Sequence, residues 1–87
     1  MVFVILAENE TAMTPVVEEA FGTKRRLKFG TDQWFVSMPG TVDDVWDRLD
    51  LGDDQADEYT SVIIPVTTYS GWADPGMWDW IASRLKR

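Results

Sequence analysis

The spacing of apolar and polar residues predicts four strands along the chain. Val2–Ala7 is apolar at every position and rich in β-branched residues, which is typical of a strand at the centre of a sheet or covered on both faces. Arg26–Phe29 alternates charged and apolar residues, and a break containing glycine separates it from the apolar run 34–38, so these two runs predict a hairpin. The run 60–64 is again strand-like, but Pro65 cannot donate a ladder hydrogen bond, which predicts an edge strand.

Helical spacing appears first between the opening strand and the hairpin. Thr14 followed by Pro15 has the pattern of an N-cap and a first helical residue, and Gly22 is placed to end the helix. The apolar residues of this predicted helix share one side: Met13, Val17, Ala20 and Phe21.

Two more helices are predicted, one after the third strand and one at the end of the chain. Thr41 with Asp44 three residues later has the pattern of a capping box. The apolar stripe that follows comprises Val42, Val45, Trp46 and Leu49. Asp74 and Pro75 mark the start of the last helix. Its apolar face comprises Met77, Trp78, Ile81 and Leu85.

The resulting order, β-α-β-β-α-β with an added C-terminal helix, predicts an α+β fold of the ferredoxin-like kind, built as one domain over residues 1–87. In that topology the first and third strands are central in a four-stranded sheet, and the second and fourth strands are its edges. The two most apolar runs occupy the central positions, whereas the edge candidates carry alternating charges or Pro65, which discourage unwanted strand pairing. We expect the helices to cover one side of the sheet.

The net charge of −7 comes from residues 43–58, where eight carboxylates accompany a single Arg48. Four of these carboxylates fall on one face of the second helix: Asp43, Asp47, Asp50 and Asp54. An acidic helix face is typical of a solvated surface, and it would also attract a basic protein or imitate the phosphate rows of nucleic acid. The same charge disfavours binding to nucleic acid itself.

Two further groups of side chains are candidates for contact with partners. Arg26 and Lys28 share one face of the second strand, where they would protect the sheet edge, hold phosphates or meet the acidic segment of a second subunit. Trp80 lies roughly 60° outside the stripe of the last helix. We expect it to form an interface together with Tyr69 and Trp72, the alternative being that these residues cover the end of the sheet.

The chain contains no His and no Cys, which excludes imidazole and thiolate catalysis and the usual zinc sites. It also lacks a P-loop and a dinucleotide-binding glycine pattern. The apolar run Val2–Ala7 is too short for a membrane span or a signal peptide. We therefore expect a soluble, cytoplasmic protein that uses no cofactor.

Several segments resemble the SinR-like small proteins, which are relatives of the ferredoxin-like CRISPR adaptation subunit. The resembling segments are the apolar opening strand, the strand with Trp34, Phe35 and Val36, the helix after Thr41 with Trp46 and Leu49, the Asp-rich turn, and the last helix with Trp78, Asp79, Trp80 and Ile81. The resemblance implies a homodimer and, in nuclease members, an Asp at the end of the first strand that binds magnesium near the dimer axis. This chain has Ala7 and Glu8 where the family usually has an aromatic residue and Asp, and a glutamate can also ligate magnesium.

These observations leave three hypotheses for function. The principal one is a non-enzymatic interaction module that acts as a homodimer through the fourth-strand edge and the Trp-rich C-terminal segment and recognises a protein partner. The second is a magnesium-dependent nuclease of the resembled family, in which Glu8 holds the metal ion. The third is an acidic inhibitor that binds a basic protein by imitating nucleic acid.

Overall fold

The computed structural model describes residues 1–51, 57–68, 70–71 and 75–85. Within these ranges the chain forms four strands, three α-helices and one 3₁₀ turn. In chain order they are β1 (Val2–Ala7), α1 (Glu10–Ala20), β2 (Arg26–Phe29), β3 (Gln33–Ser37), α2 (Val42–Leu49), the 3₁₀ turn (Asp57–Tyr59), β4 (Ser61–Val66) and α3 (Pro75–Leu85).

The four strands form one antiparallel sheet in the order β2-β3-β1-β4. β1 and β3 are therefore central and β2 and β4 are the edges, which confirms the predicted strand positions. The register places Ile5 of β1 between Trp34 of β3 and Ile63 of β4. The fold is α+β, and its strand order is consistent with a ferredoxin-like arrangement.

The main hydrophobic core lies between one face of the sheet, here called the covered face, and helices α1 and α2. Alternate residues of β1 and β3 point into this core because successive side chains of a strand face opposite sides. The buried core residues are Phe3, Ile5, Ala7, Trp34 and Val36 from the sheet, with Met13, Val17, Phe21, Val45 and Leu49 from the helices and their ends. The predicted apolar sides of the first two helices are thus confirmed.

Helix α1 begins earlier than the sequence predicted. Asn9 is its N-cap, and the Asn9 side-chain oxygen accepts a hydrogen bond of 3.0 Å from the Ala12 backbone N–H. The prediction that Thr14 is the cap was wrong, because the Thr14 hydroxyl lies inside the helix and donates to the Glu10 carbonyl at 2.8 Å. Pro15 is also inside the helix, where it lacks the N–H that would reach back one turn. The earlier start is favourable because it buries Met13 completely.

Helix α2 has the predicted capping box. The Thr41 backbone N–H donates to an Asp44 carboxylate oxygen at 2.7 Å, and the Asp44 N–H donates to the Thr41 hydroxyl at 3.3 Å. At the other end, Asp50 adopts the left-handed conformation with φ of 58°. The start of α2 is thus as predicted, but the helix ends at Leu49, so Asp50 follows the helix as its C-cap and does not lie on the predicted acidic helix face.

Helix α3 lies on the opposite side of the sheet from α1 and α2, so the expectation that the helices cover one side was wrong. The register puts Val2 on the side opposite Phe3, yet only 1% of Val2 is exposed. Ile81 of α3 is also fully buried, α3 contacts β1, and neither residue belongs to the core under α1 and α2. We infer that α3 covers the end of the second sheet face around Val2. None of the described helices is long and apolar enough to cross a membrane.

Candidate interaction surface on the open sheet face

The second sheet face is largely apolar and is partly accessible to solvent. We call this surface the open face, and it consists of the strand residues that alternate with the core residues, apart from the end near Val2. Its members are Val4, Leu6, Leu27, Phe29, Gln33, Phe35, Val62, Ile64 and Val66. The most exposed are Phe29 at 42%, Val62 at 56% and Ile64 at 44%. None of these nine strand positions carries a charged residue, although the chain has a net charge of −7.

The sheet register brings the apolar side chains of the open face together across all four strands. Val4 on the central strand β1 lies between Phe35 of β3 and Ile64 of β4. On the other side of β3, the rings of Phe29 and Phe35 have centroids 6.0 Å apart and planes tilted by 55°, which is a favourable aromatic geometry. The open face is therefore a continuous apolar strip from one edge strand to the other. A patch of this kind on a single subunit is typical of a protein–protein interaction site.

The aromatic residues predicted to form an interface are only partly placed by the structure. Tyr69 and Trp72 lie outside the described residues. Trp80 is half-buried on α3, and the Arg84 guanidinium lies over its ring at 4.2 Å from the centroid. An interface role for these three residues stays a prediction.

The predicted acidic face lies away from the open face. Asp43, Asp47 and Asp50 are exposed on and just after α2, while Asp54 is outside the described residues. Because α2 packs its buried residues against the covered face, its acidic side points outward on that side of the molecule. The exposed carboxylates of Asp43, Asp47 and Asp50 and the accessible apolar face are thus on opposite sides of the molecule.

The predicted basic edge residues bind groups of helix α1. Arg26 donates to the Phe21 carbonyl at 2.6 Å and to the Glu18 carbonyl at 3.3 Å. These carbonyls belong to the C-terminal end of α1, where a cation offsets the negative end of the helix dipole. Lys28 forms an ion pair with Glu10 and lies over the buried Trp34 ring at 5.5 Å from its centroid. The sequence indicated that Arg26 and Lys28 share a face, which the register confirms, but it did not reveal these partners.

A third basic residue, for which the sequence pattern indicated no role, completes the end of α1. Arg48 of α2 donates from Nε to the Ala20 carbonyl at 2.8 Å, and its guanidinium lies 5.3 Å from the centroid of the Phe21 ring. α1 has no basic residue in its own last turn. Cations from β2 and α2 therefore replace a helix cap that the local sequence does not provide.

Glu8, the predicted ligand in the nuclease hypothesis, is exposed directly after β1. Its backbone N–H donates to the Thr60 carbonyl at 3.0 Å, which fixes the start of the loop. The nearby Glu10 carboxylate is engaged by Lys28. Among the described residues no group of three or more acidic side chains is arranged to hold a metal ion. Metal binding at Glu8 stays a prediction.

Comparison of the chain with protein-family models, with curated proteins and with solved structures gave no match. The fold and its surface therefore carry the functional argument. They define a small α+β protein that has one side of its sheet covered by two helices and the other side largely apolar and partly accessible.

Proposed function

We propose that this protein is a non-catalytic interaction module with a ferredoxin-like domain, and that it acts as a homodimer through the open face. The observation that carries this proposal is the charge-free apolar strip with exposed Phe29, Val62 and Ile64 at its two edges. Covering apolar surface contributes about 25 cal/mol for each Å² removed from water. A partner that covers this strip therefore gains free energy without having to desolvate a charge.

A second copy of the chain suits this face because of where the charges lie. When two open faces stack, the exposed residues Asp43 and Asp47 of each subunit point away from the contact, on the far side of α2. This orientation separates the acidic surfaces of two molecules that each carry a net charge of −7. Stacked sheets pack about 10 Å apart, and a two-fold axis would bring the same apolar residues of both subunits together.

The size of the open face sets the expected affinity. Four strands are about 19 Å across, and five residues of a strand are about 16 Å long, so the whole sheet face, including the end that α3 covers, measures roughly 300 Å² per subunit. Two open faces therefore bury at most about 600 Å², whereas stable interfaces bury about 1,200–2,000 Å². The dimer is therefore reversible unless neighbouring segments contribute. The predicted interface residues Tyr69, Trp72 and Trp80 are candidates for that additional contact.

Sedimentation equilibrium tests the proposal directly. We expect wild-type protein to dimerise with a Kd of about 10–100 µM. Ile64→Lys places a charge on the open face, midway along the edge strand β4, and should weaken the dimer at least about 30-fold, because an unpaired ammonium group would then lie against the apolar face of the other subunit. Ile64 is about half exposed in the single subunit, so the variant should still fold, and circular dichroism checks this.

Thr11→Lys is the matched control, because Thr11 is exposed on α1 and the substitution changes the net charge by the same amount. Its dimer should be as strong as that of wild type. A wild-type protein that remains monomeric at about 1 mM would contradict the homodimer. Dimerisation of Ile64→Lys with wild-type affinity would show instead that the open face is not the contact.

A further inference from the structure

A second surface, at the end of the sheet where α3 lies, gathers positive charge in this acidic protein. This surface contains a pocket lined by Lys24 and Arg25 before β2, by Ser37 at the end of β3, and by Ser83 and Arg84 on α3. Met1, Met38, Pro39 and Gly40 complete its lining. We propose that this pocket binds a small oxyanion of the phosphate class.

Backbone contacts hold the three segments of the pocket together. The Ser37 N–H donates to the Arg25 carbonyl at 2.8 Å, which continues the pairing of β3 with β2 and sets Arg25 opposite Ser37. Ser37 also lies opposite Val2, on the side of the sheet that α3 covers. Arg84 of α3 then donates from Nε and Nη2 to the Lys24 carbonyl at 3.2 and 2.7 Å. The basic side chains therefore come from elements whose relative positions are fixed.

The charge of Arg84 is held in place, and no described carboxylate forms an ion pair with it. Its other hydrogen bonds to described residues go to neutral groups, the Trp80 carbonyl at 3.3 Å and the Ser83 hydroxyl at 2.8 Å, and its guanidinium stacks on the Trp80 ring. A guanidinium oriented in this way loses little side-chain entropy when it meets an anion. This preorganisation distinguishes Arg84 from a mobile surface cation.

Lys24 and Arg25 add two exposed cations, and none of the residues that line the pocket is acidic. Among the described residues no carboxylate lies within ion-pair distance of Lys24, Arg25 or Arg84. Lys28, by contrast, is paired with Glu10. The positive charge at the pocket is therefore available to an anion, whereas that of Lys28 on β2 is already paired.

The chemistry of the lining favours a phosphate group over a carboxylate. Arginine and lysine form short, charge-assisted hydrogen bonds with phosphate oxygens, and hydroxyl groups such as that of Ser37 bind the same oxygens. Three cations that approach from two segments, with the Ser37 hydroxyl on a third, match a tetrahedral dianion better than a planar monoanion. The pocket is open to solvent, and the net charge of −7 opposes anions, so we expect binding in the range of about 1–10 mM.

Titration with inorganic phosphate at constant ionic strength, followed by amide NMR, tests the inference. We expect saturable shifts at Arg25, Ser37 and Ser83. The double substitution Lys24→Gln with Arg25→Gln should weaken binding at least about tenfold, because it removes two of the three charges. Both side chains are exposed, so the fold should be retained. Lys28→Gln removes a cation outside the pocket and should change the Kd by less than about twofold.

Two outcomes would overturn the inference. One is a linear, unsaturable change in shifts that chloride reproduces at the same ionic strength, which is the behaviour of general screening. The other is equal weakening by Lys28→Gln and by the double substitution. The result does not depend on the dimer, because the pocket lies at the end covered by α3 rather than on the open face. Ile64→Lys should therefore bind phosphate like wild type, so failure of one proposal is distinguishable from failure of the other.

Discussion

The two faces of the sheet use the same strands and similar apolar residues, yet they end in different environments. Ile5 and Trp34 are buried under α1 and α2, while their chain neighbours Val4 and Phe35 on the open face remain partly exposed. An antiparallel sheet with one face in water usually carries polar residues on that face. Here the face in water has the composition of a buried surface. The two faces therefore differ in whether helices cover them and not in the apolar character of their strand residues.

The rim of the sheet shows the same contrast. Around the covered face, Arg26 and Lys28 of β2 and Arg48 of α2 all bind groups of α1. Polar contacts therefore surround the apolar core on that side of the sheet. On the open face, the described strand positions carry only apolar residues and the amide of Gln33. A surface without charged residues lacks the groups that usually keep a sheet soluble and unpaired. This contrast favours a partner for the open face.

The largest expected effect comes from truncating one residue on each face. Trp34→Ala should lower the free energy of unfolding by about 3–5 kcal/mol, because it leaves a cavity in the main core. Phe35→Ala, one residue further along the same strand, should cost about 1–2 kcal/mol, since its ring is partly exposed. Urea unfolding at low protein concentration, where the subunit is monomeric, measures both.

Equal losses of unfolding free energy for these two variants would contradict the difference between the covered face and the open face. They would mean that the open face is packed as fully as the covered face in the single subunit. The neighbouring positions make the pair well matched, because both substitutions remove an aromatic ring from β3 and leave the backbone pairing unchanged.

A smaller effect is expected from the turn that positions α2 on the covered face. Gly40 has φ of 118°, and a Cβ there would overlap the Asp44 carboxylate that forms the capping box. Gly40→Ala should therefore lower stability by about 2 kcal/mol through backbone strain and loss of the cap. Gly22→Ala is the control, because its Cβ would meet no atom within 4 Å. Its effect should stay within about 0.5 kcal/mol in urea unfolding, and equal losses for the two variants would exclude the cap as the cause.

Features that depend on neighbouring residues were predicted well from the sequence. The Thr41 and Asp44 pattern gave the start of α2, and the apolar character of Val2–Ala7 indicated a central strand. The start of α1 was missed because Asn9 and Thr14 are both good caps, and the choice between them is made by burial of Met13 in the core. Local propensity alone does not contain that information.

Features that depend on packing between distant segments could not be predicted. Nothing in the spacing of Ile81 shows on which side of the sheet α3 lies, and the partners of Arg26 and Arg48 are carbonyls of a different element. The open face did leave a signal. Val4 and Leu6 are apolar on a strand whose other side is also apolar, and Val62 and Ile64 continue that face on the edge strand. Read together, these residues indicate a second apolar face that needs a cover.

The smallest expected effect concerns the ion pair between Lys28 and Glu10, which joins β2 to α1 at the rim of the covered face. The two side chains are 37% and 39% exposed, so water and salt screen their attraction. A double-mutant cycle with Lys28→Met and Glu10→Gln should give a coupling of about 0.2–0.5 kcal/mol that declines as salt is added. A coupling above about 1.5 kcal/mol that is insensitive to salt would mean that the pair is shielded from solvent. The ion pair would then stabilise the covered face about as strongly as a buried side chain does.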